Sequence, residues 1–213
     1  MDFDDFASLH PKLYRLGVIG ASEGIKKHGL LTAKDIATKA GVVLPKGPRK
    51  EALPVTLDDG TRMVITDNKP LLFACLAPAL DDGLTPEQWL DMLNSRVFFW
   101  PSQKIGSNNL RFRNANLGYE SEWQVYDTKS LLRPIWEMAE IAPFNTGAAS
   151  RKAARRGLST FASLNELDPS KWRSARKSRG LIKGLDKIKE VTVRGSIAHA
   201  GDALMSIEPA RIL

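Results

Sequence analysis

A single cysteine, Cys75, sits in the apolar run LLFACLAPAL, which excludes an internal disulfide and any cysteine-built metal centre and fits a reducing compartment. Histidine is almost as scarce: His10, His28 and His199 are scattered, with no pair at ligand spacing, so no metal site is expected. There is no glycine-rich phosphate loop, no Gly-x-Ser-x-Gly elbow and no internal repeat. No apolar run approaches membrane-spanning length, and the start, MDFDDFASLH, is acidic where a secretion signal would be basic and then apolar. These absences lead to the expectation of a cytoplasmic protein without disulfide, metal or membrane anchor.

What is present is an ordinary globular composition. Of 213 residues 43% are hydrophobic and 26% charged, enough for one sizeable core and a single domain over 1–213. The formal charge of +7 is unevenly spread. Between Arg151 and Arg194 there are 13 Lys or Arg against 4 Asp or Glu, a local +9, whereas the rest of the chain holds 18 basic and 20 acidic residues. The segment 151–189 therefore reads as an insertion or a substrate-facing region. A cluster of this kind neutralises phosphates and steers polyanions; its bland alternative is a solvated surface that keeps the protein soluble. On the first reading Arg155, Arg156, Arg173, Arg176, Lys177 and Arg179 contact nucleic acid, with Trp172 among them for stacking.

Patterning predicts alternating short elements. KLYRLGVI (Lys12 to Ile19) reads as a strand. SEGIKKHG follows as a helix with Ser22 as N-cap and Gly29 beyond its end in the left-handed region. TAKDIATKAG places Thr32 and Asp35 at capping-box spacing and stops at Gly41. PVTLDDGTRMVI reads as a hairpin about Asp59 and Gly60. The strongest local signal is GLTPEQWLDMLNSR, with Thr85 as cap, Pro86 first in the helix, Gln88 closing the box, and Trp89, Leu90 and Leu93 on the buried face. RVFFW leaves that helix as a strand. GSNNLRFRNANLGYESE reads as exposed, WQVYDT as a strand, KSLLRPIWEMAE as helix broken at Pro134, and IAPFNTGAAS as irregular. KEVTVRGSI is a strand with Val191 and Val193 on one face and Glu190, Thr192 and Arg194 on the other. The expected class is α+β, with split mixed or antiparallel sheets and short flanking helices.

The remaining chemical groups are few: a carboxylate at a strand, Glu190, an arginine in the first strand, Arg15, and the aromatic run RVFFWPS bordered by polar residues. They suit chemistry at a sugar carbon. An oxocarbenium-like transition state needs a carboxylate to orient hydroxyls, aromatic surface for a planar leaving group and cations for attached phosphates. The bland alternatives are a charge on an exposed edge strand for Glu190, a surface arginine for Arg15, core packing for Phe98, Phe99 and Trp100, and turn preferences for Asn145, Thr146 and Gly147.

LYRLGVIGASEGIKKHGLLT resembles the opening of DarT-like ADP-ribosyltransferases and of a related uncharacterised bacterial family. The likeness to the latter runs on through DNKPL, DGLTPEQWLDMLNSRVFFWP, YDT, PFNTGA and RGLSTF; that to DarT rests on the opening, the aromatic strand and KEVTVRGSI. The resemblance implies an ADP-ribosyltransferase-like fold and NAD as cofactor. In that frame Glu190 orients a ribose hydroxyl and activates the acceptor, and Arg15 contacts ribose or pyrophosphate. Tyr14, His28 and Gly29 shape the cofactor loop, while Phe98, Trp100 and Ser102, with Asn145 and Thr146, line the nicotinamide pocket. Relatives often carry an arginine before the Asp of DNKPL, where this chain has Thr66 with Arg62 and Lys69 as its nearest basic neighbours, and a histidine in place of Arg15. The expected activity is ADP-ribosylation of a nucleobase in DNA or RNA, in a toxin or antiphage setting with an antitoxin partner. The alternatives are a non-catalytic nucleic-acid-binding module and an NAD-dependent RNA 2′-phosphotransferase.

Overall fold

The computed structural model describes residues 1–107, 120–181 and 187–210. Its best-encoded element is helix α5 (Pro86–Asn94): Thr85 accepts from the Gln88 amide, Gln88 reaches back to the Thr85 amide, and Trp89, Leu90 and Leu93 are buried as their spacing requires. Strand β4 (Arg96–Phe99) leaves it after Ser95, with Val97 and Phe99 buried and Phe98 half-buried.

The class is mixed α+β with antiparallel sheets and short helices. One sheet has the order β1 (Lys12–Val18), β5 (Ser121–Asp127), β9 (Leu204–Pro209). The second runs β4, β8 (Glu190–Arg194), β6 (Ala139–Ala142), β7 (Ala162–Ser163). Strands β2 (Leu53–Thr56) and β3 (Arg62–Ile65) form a separate hairpin that turns through Gly60 at φ 82°. The two sheets meet where Tyr14 and Trp100 exchange backbone hydrogen bonds of 2.9 and 2.7 Å. That bridge sets Arg15 of one sheet beside the aromatic end of the other.

Helices α1 (Phe3–Leu9), α2 (Ser22–His28), α3 (Ala33–Lys39), α4 (Phe73–Leu76), α6 (Thr128–Leu132) and α7 (Pro169–Ser178) lie around the sheets. The main core joins α1 (Phe3, Phe6) to β4 and β8 (Val97, Phe99, Val191, Val193). A second core gathers Trp89, Leu90, Leu76 and Phe161 under α5.

Several expectations need correction. Ser22 is the first residue of α2 and Ala21 precedes it with no side-chain cap. Gly29 has positive φ (72°) but extended ψ (−162°), and a Cβ there would stand 2.1 Å from the Ile197 carbonyl, so backbone contact with the 197–201 turn demands glycine. At α3, Thr32 does cap Asp35, but the Thr32 amide is taken by Ser196, so the box is not reciprocal. Ser121 and Glu122, read as exposed, are buried in β5; residues 108–119 of that stretch lie outside the described residues. IAPFNTGAAS begins as strand β6, whose Ala-Glu-Ile-Ala sequence gives no alternation because all four residues are buried. Helix α1 and strand β9 were not anticipated. The described residues of 151–189 are packed into the fold: Arg156 bridges to Leu80, β7 pairs with β6, and Trp172 and Arg176 are buried. Among the described residues no helix is long and apolar enough to cross a membrane.

Candidate functional site

At the junction of the two sheets a cavity of about 220 Å³ opens between β1, β4, the start of β8, α3 and the hairpin. It is smaller than the about 300–1,000 Å³ common for drug-sized ligands, so it suits part of a larger molecule. Arg15, Phe98, Trp100, Asn145 and Glu190 all line it. Thus the carboxylate, the first-strand arginine and the aromatic strand, brought together on sequence grounds, share one hollow.

Glu190 heads an interior strand, between β4 and β6, so the exposed edge-strand alternative does not hold. Its side chain is buried, and both hydrogen bonds it accepts, from the Thr146 amide at 3.0 Å and the Thr146 hydroxyl at 2.6 Å, fall on Oε2. That leaves Oε1 for the cavity. Burial pushes the Glu190 carboxyl up to about 7, against the opposing pull of the Thr146 bonds and of the Arg156 charge. A carboxyl that titrates near neutrality in a lined hollow has the character of a functional acid or base.

Thr146 is itself held from behind. Its carbonyl accepts from Arg156 Nη1 at 3.0 Å and from Trp89 Nε1 at 3.3 Å. Arg156 also donates to the carbonyls of Ala148 (3.1 Å) and Ala154 (3.0 Å), and its guanidinium lies 4.7 Å from the Phe144 ring and 5.7 Å from the Trp89 ring. Burial lowers its pKa to about 10, which leaves it charged at neutral pH. Arg156 is therefore a strut beneath the carboxylate-holding turn and not a nucleic-acid contact, which corrects the sequence reading. Arg176 is corrected likewise: it is buried, donates to the Lys187 carbonyl and packs 5.7 Å from the Trp172 ring.

The other nucleic-acid candidates divide. Arg155 is exposed and pairs with Asp81 at 2.5 Å. Arg179 is half-buried, reaching the Ala175 carbonyl and the Ser159 hydroxyl. Arg173 and Lys177 are exposed on α7. No described residue of 151–189 lines the cavity.

Among the cofactor candidates, Tyr14 packs edge-on to Trp123 (6.5 Å) and does not line the cavity. His28 points to the hairpin, 3.1 Å from the Thr61 hydroxyl and 3.0 Å from Asp59, and so fastens α2 to that turn. Gly29 is the close-approach glycine already described. Ser102 accepts from the Ile105 amide in the turn after β4. Tyr14, His28, Gly29 and Ser102 thus shape the surroundings of the cavity and do not line it, while Thr146 reaches it only through Glu190.

Two arginines of the site were missed. Arg49 comes from the irregular KGPRKE and is buried; its Nε donates to the Thr66 carbonyl at 2.9 Å and its Nη1 to Asn94 Oδ1 at 3.1 Å. It brings a guanidinium against the position where the chain has Thr66, although Arg62 and Lys69 are nearer in sequence. Nothing in KGPRKE distinguishes it from a loop. Arg96 lines the cavity but is engaged by buried Glu140 (2.8 Å), which also takes Arg194 at 3.4 Å and the Thr192 hydroxyl at 3.3 Å. Glu140 thereby separates Arg96 from Arg194, its directly opposed cross-strand neighbour.

These features define a mixed α+β protein with a cationic, aromatic-walled cavity that includes the buried carboxyl of Glu190. The chain belongs to the DUF7002 family, a family of unknown function, whose model matches residues 11–204. No curated protein and no solved structure matches it.

Proposed function

We propose that this protein is an NAD-consuming ADP-ribosyltransferase of ADP-ribosyltransferase-like fold, acting on a nucleobase of DNA or RNA. The observation that carries the reading is the convergence of Glu190, Arg15, Phe98 and Trp100 on one cavity at the split between two sheets. Bound NAD would supply the glycosidic bond whose cleavage releases nicotinamide with the bonding electron pair. The free Oε1 of Glu190 then orients a ribose hydroxyl and, when ionised, draws the proton from the attacking acceptor nitrogen or oxygen. Phe98 and Trp100 offer aromatic surface to the leaving ring, and the cavity cations take the phosphates. A hollow of about 220 Å³ accommodates the reacting end of such a ligand, the remainder lying across the rim.

Purified protein incubated with adenine-labelled NAD and nucleic acid should yield labelled polymer with wild type and none with Glu190→Gln. Label on protein alone would redirect the acceptor, and absence of any product in the presence of bound nucleic acid would favour the non-catalytic binding module. The exposed cations of α7 give that module a concrete form. Reversing Arg173 and Lys177 to Glu should weaken DNA or RNA binding and lower the slope of log affinity against log salt by about 2, measured by fluorescence anisotropy. An unchanged slope would remove α7 from the interface under either reading.

A further inference from the structure

We infer that the cavity is a receptor for a phosphate-bearing anion gripped between Arg49 and Arg15, with Arg49 as the fixed anchor. The inference deepens the transferase reading, which requires a diphosphate ligand, and rests on it only for the identity of that ligand.

The argument begins with charge. Four cations, Arg15, Arg49, Lys69 and Arg96, line the cavity against two carboxylates, Asp67 and Glu190. Arg96 is already paired with Glu140, and Lys69 is exposed at the end of the 66–69 turn. Arg49 and Arg15 differ from both. Among the described residues neither makes a salt bridge; Arg49 donates to a backbone carbonyl and an amide oxygen, and Arg15 Nη1 donates to Gln124 Oε1 at 2.9 Å. Gln124 stands between Arg15 and Glu122, donating onward to that carboxylate at 3.0 Å. A guanidinium stays charged under any ordinary condition, and burying one without a counter-anion is costly. Burial lowers the pKa of both arginines and outweighs the opposing pull of Tyr126 and Glu122 on Arg15 and of Asp67 on Arg49, which is the sign of that cost.

Arg156 is the useful contrast. It too is buried without an ion pair, but its donors go to three carbonyls and it does not line the cavity, so its charge is spent on the fold. Arg49 is clamped through Nε and Nη1, and its amide is fixed by Asn68 Oδ1 at 2.9 Å; its Nη2 makes no hydrogen bond among the described residues. The side chain is thus pre-oriented, with unspent donors in a residue that lines the hollow. Two guanidiniums from separate elements, each with planar donor pairs, match the several oxygens and multiple charge of a phosphate or diphosphate better than a single carboxylate.

The test turns on Asn94, whose Oδ1 already touches the Arg49 guanidinium. Asp67 acts on Arg49 only through its charge, without an ion pair among the described residues, so Asn94→Asp sets a carboxylate in direct contact with the guanidinium without removing the arginine. It should raise Tm by about 2–4 °C while weakening inorganic pyrophosphate, measured by isothermal titration calorimetry, about 10-fold or more. Pyrophosphate affinity within twofold of wild type in Asn94→Asp, or no wild-type binding at millimolar pyrophosphate, would overturn the inference, as would tighter binding of succinate than of pyrophosphate. Should Asn94→Asp not fold, Arg49→Lys carries the same test: it keeps charge but loses the two-point clamp, and should bind pyrophosphate about 10-fold more weakly. Pyrophosphate binding without NAD turnover would end the transferase reading and leave this one standing; NAD turnover unaffected by Asn94→Asp would do the reverse.

Discussion

Glu190→Gln is expected to be more stable than wild type by about 3 kcal/mol at pH 8, to match it near pH 4.5, and to lose about 10²- to 10⁴-fold in transferase turnover. The sign follows from a carboxyl raised from its ordinary 4.5 to about 7 by burial. Below pH 4.5 it is protonated in folded and unfolded chains alike and its burial costs little. Between 4.5 and 7 the unfolded chain ionises while the folded chain keeps its proton, so stability falls with each pH unit. Above 7 both are ionised and the loss is complete. Glutamine has nothing to ionise, and its amide oxygen still accepts from the Thr146 amide and hydroxyl. On the proposed transferase reading, wild-type turnover should show the opposite trend, rising through pH 7 as the Glu190 carboxylate is formed. Urea denaturation of both proteins from pH 4.5 to pH 9 reads the stability half, and a wild-type curve parallel to that of the variant would show that Glu190 titrates normally. A side chain retained at such a cost is what a working site, rather than a scaffold position, would require.

The sequence was most legible where local chemistry decides the structure. The capping residues of α5, the Asp-Gly turn and the first strand follow from near neighbours in the chain, and all are present. It was less legible where burial comes from distant elements. Strand β6 has no alternation because it is interior to its sheet and all four of its residues are buried, so both faces are covered. For the same reason Thr192 is buried on the face that alternation left to polar residues. The gathering of Glu190, Arg15 and Phe98 rested on resemblance, since their separation along the chain carries no distance information.

Arginine was the least legible residue type. From composition, a run such as RKAARRG is charge, and charge belongs in water. In the structure Arg156 and Arg176 act as multi-donor struts for carbonyls that no strand or helix satisfies, with their planes against aromatic rings. Hydrogen-bond demand of this kind arises from the folded backbone and leaves no mark in the sequence. Arg49 escaped notice for the converse reason, being one arginine in a proline- and glycine-bearing loop.

Replacing Arg156 with methionine isolates the strut. The side chain keeps much of its volume and its apolar contact with Phe144 and Trp89, but the Ala148 and Ala154 carbonyls lose their donor and Thr146 keeps only Trp89. An orphaned acceptor costs about 1–3 kcal/mol when fully buried; both of these are partly buried and a desolvated charge is released, so the expected loss is about 1–3 kcal/mol. A merely structural role would stop there. Arg156 also lowers the Glu190 pKa through its charge and positions the residue that donates to it, so its removal should leave the onset of the fall in stability near pH 4.5 but extend it to higher pH and deepen it. In the Glu190→Gln background the same substitution should leave stability flat with pH, and the two changes should be non-additive by at least about 0.5 kcal/mol because both act through Thr146. Additive effects, with an unmoved pH dependence in Arg156→Met alone, would separate the strut from the carboxylate and leave Thr146 as the only link that matters.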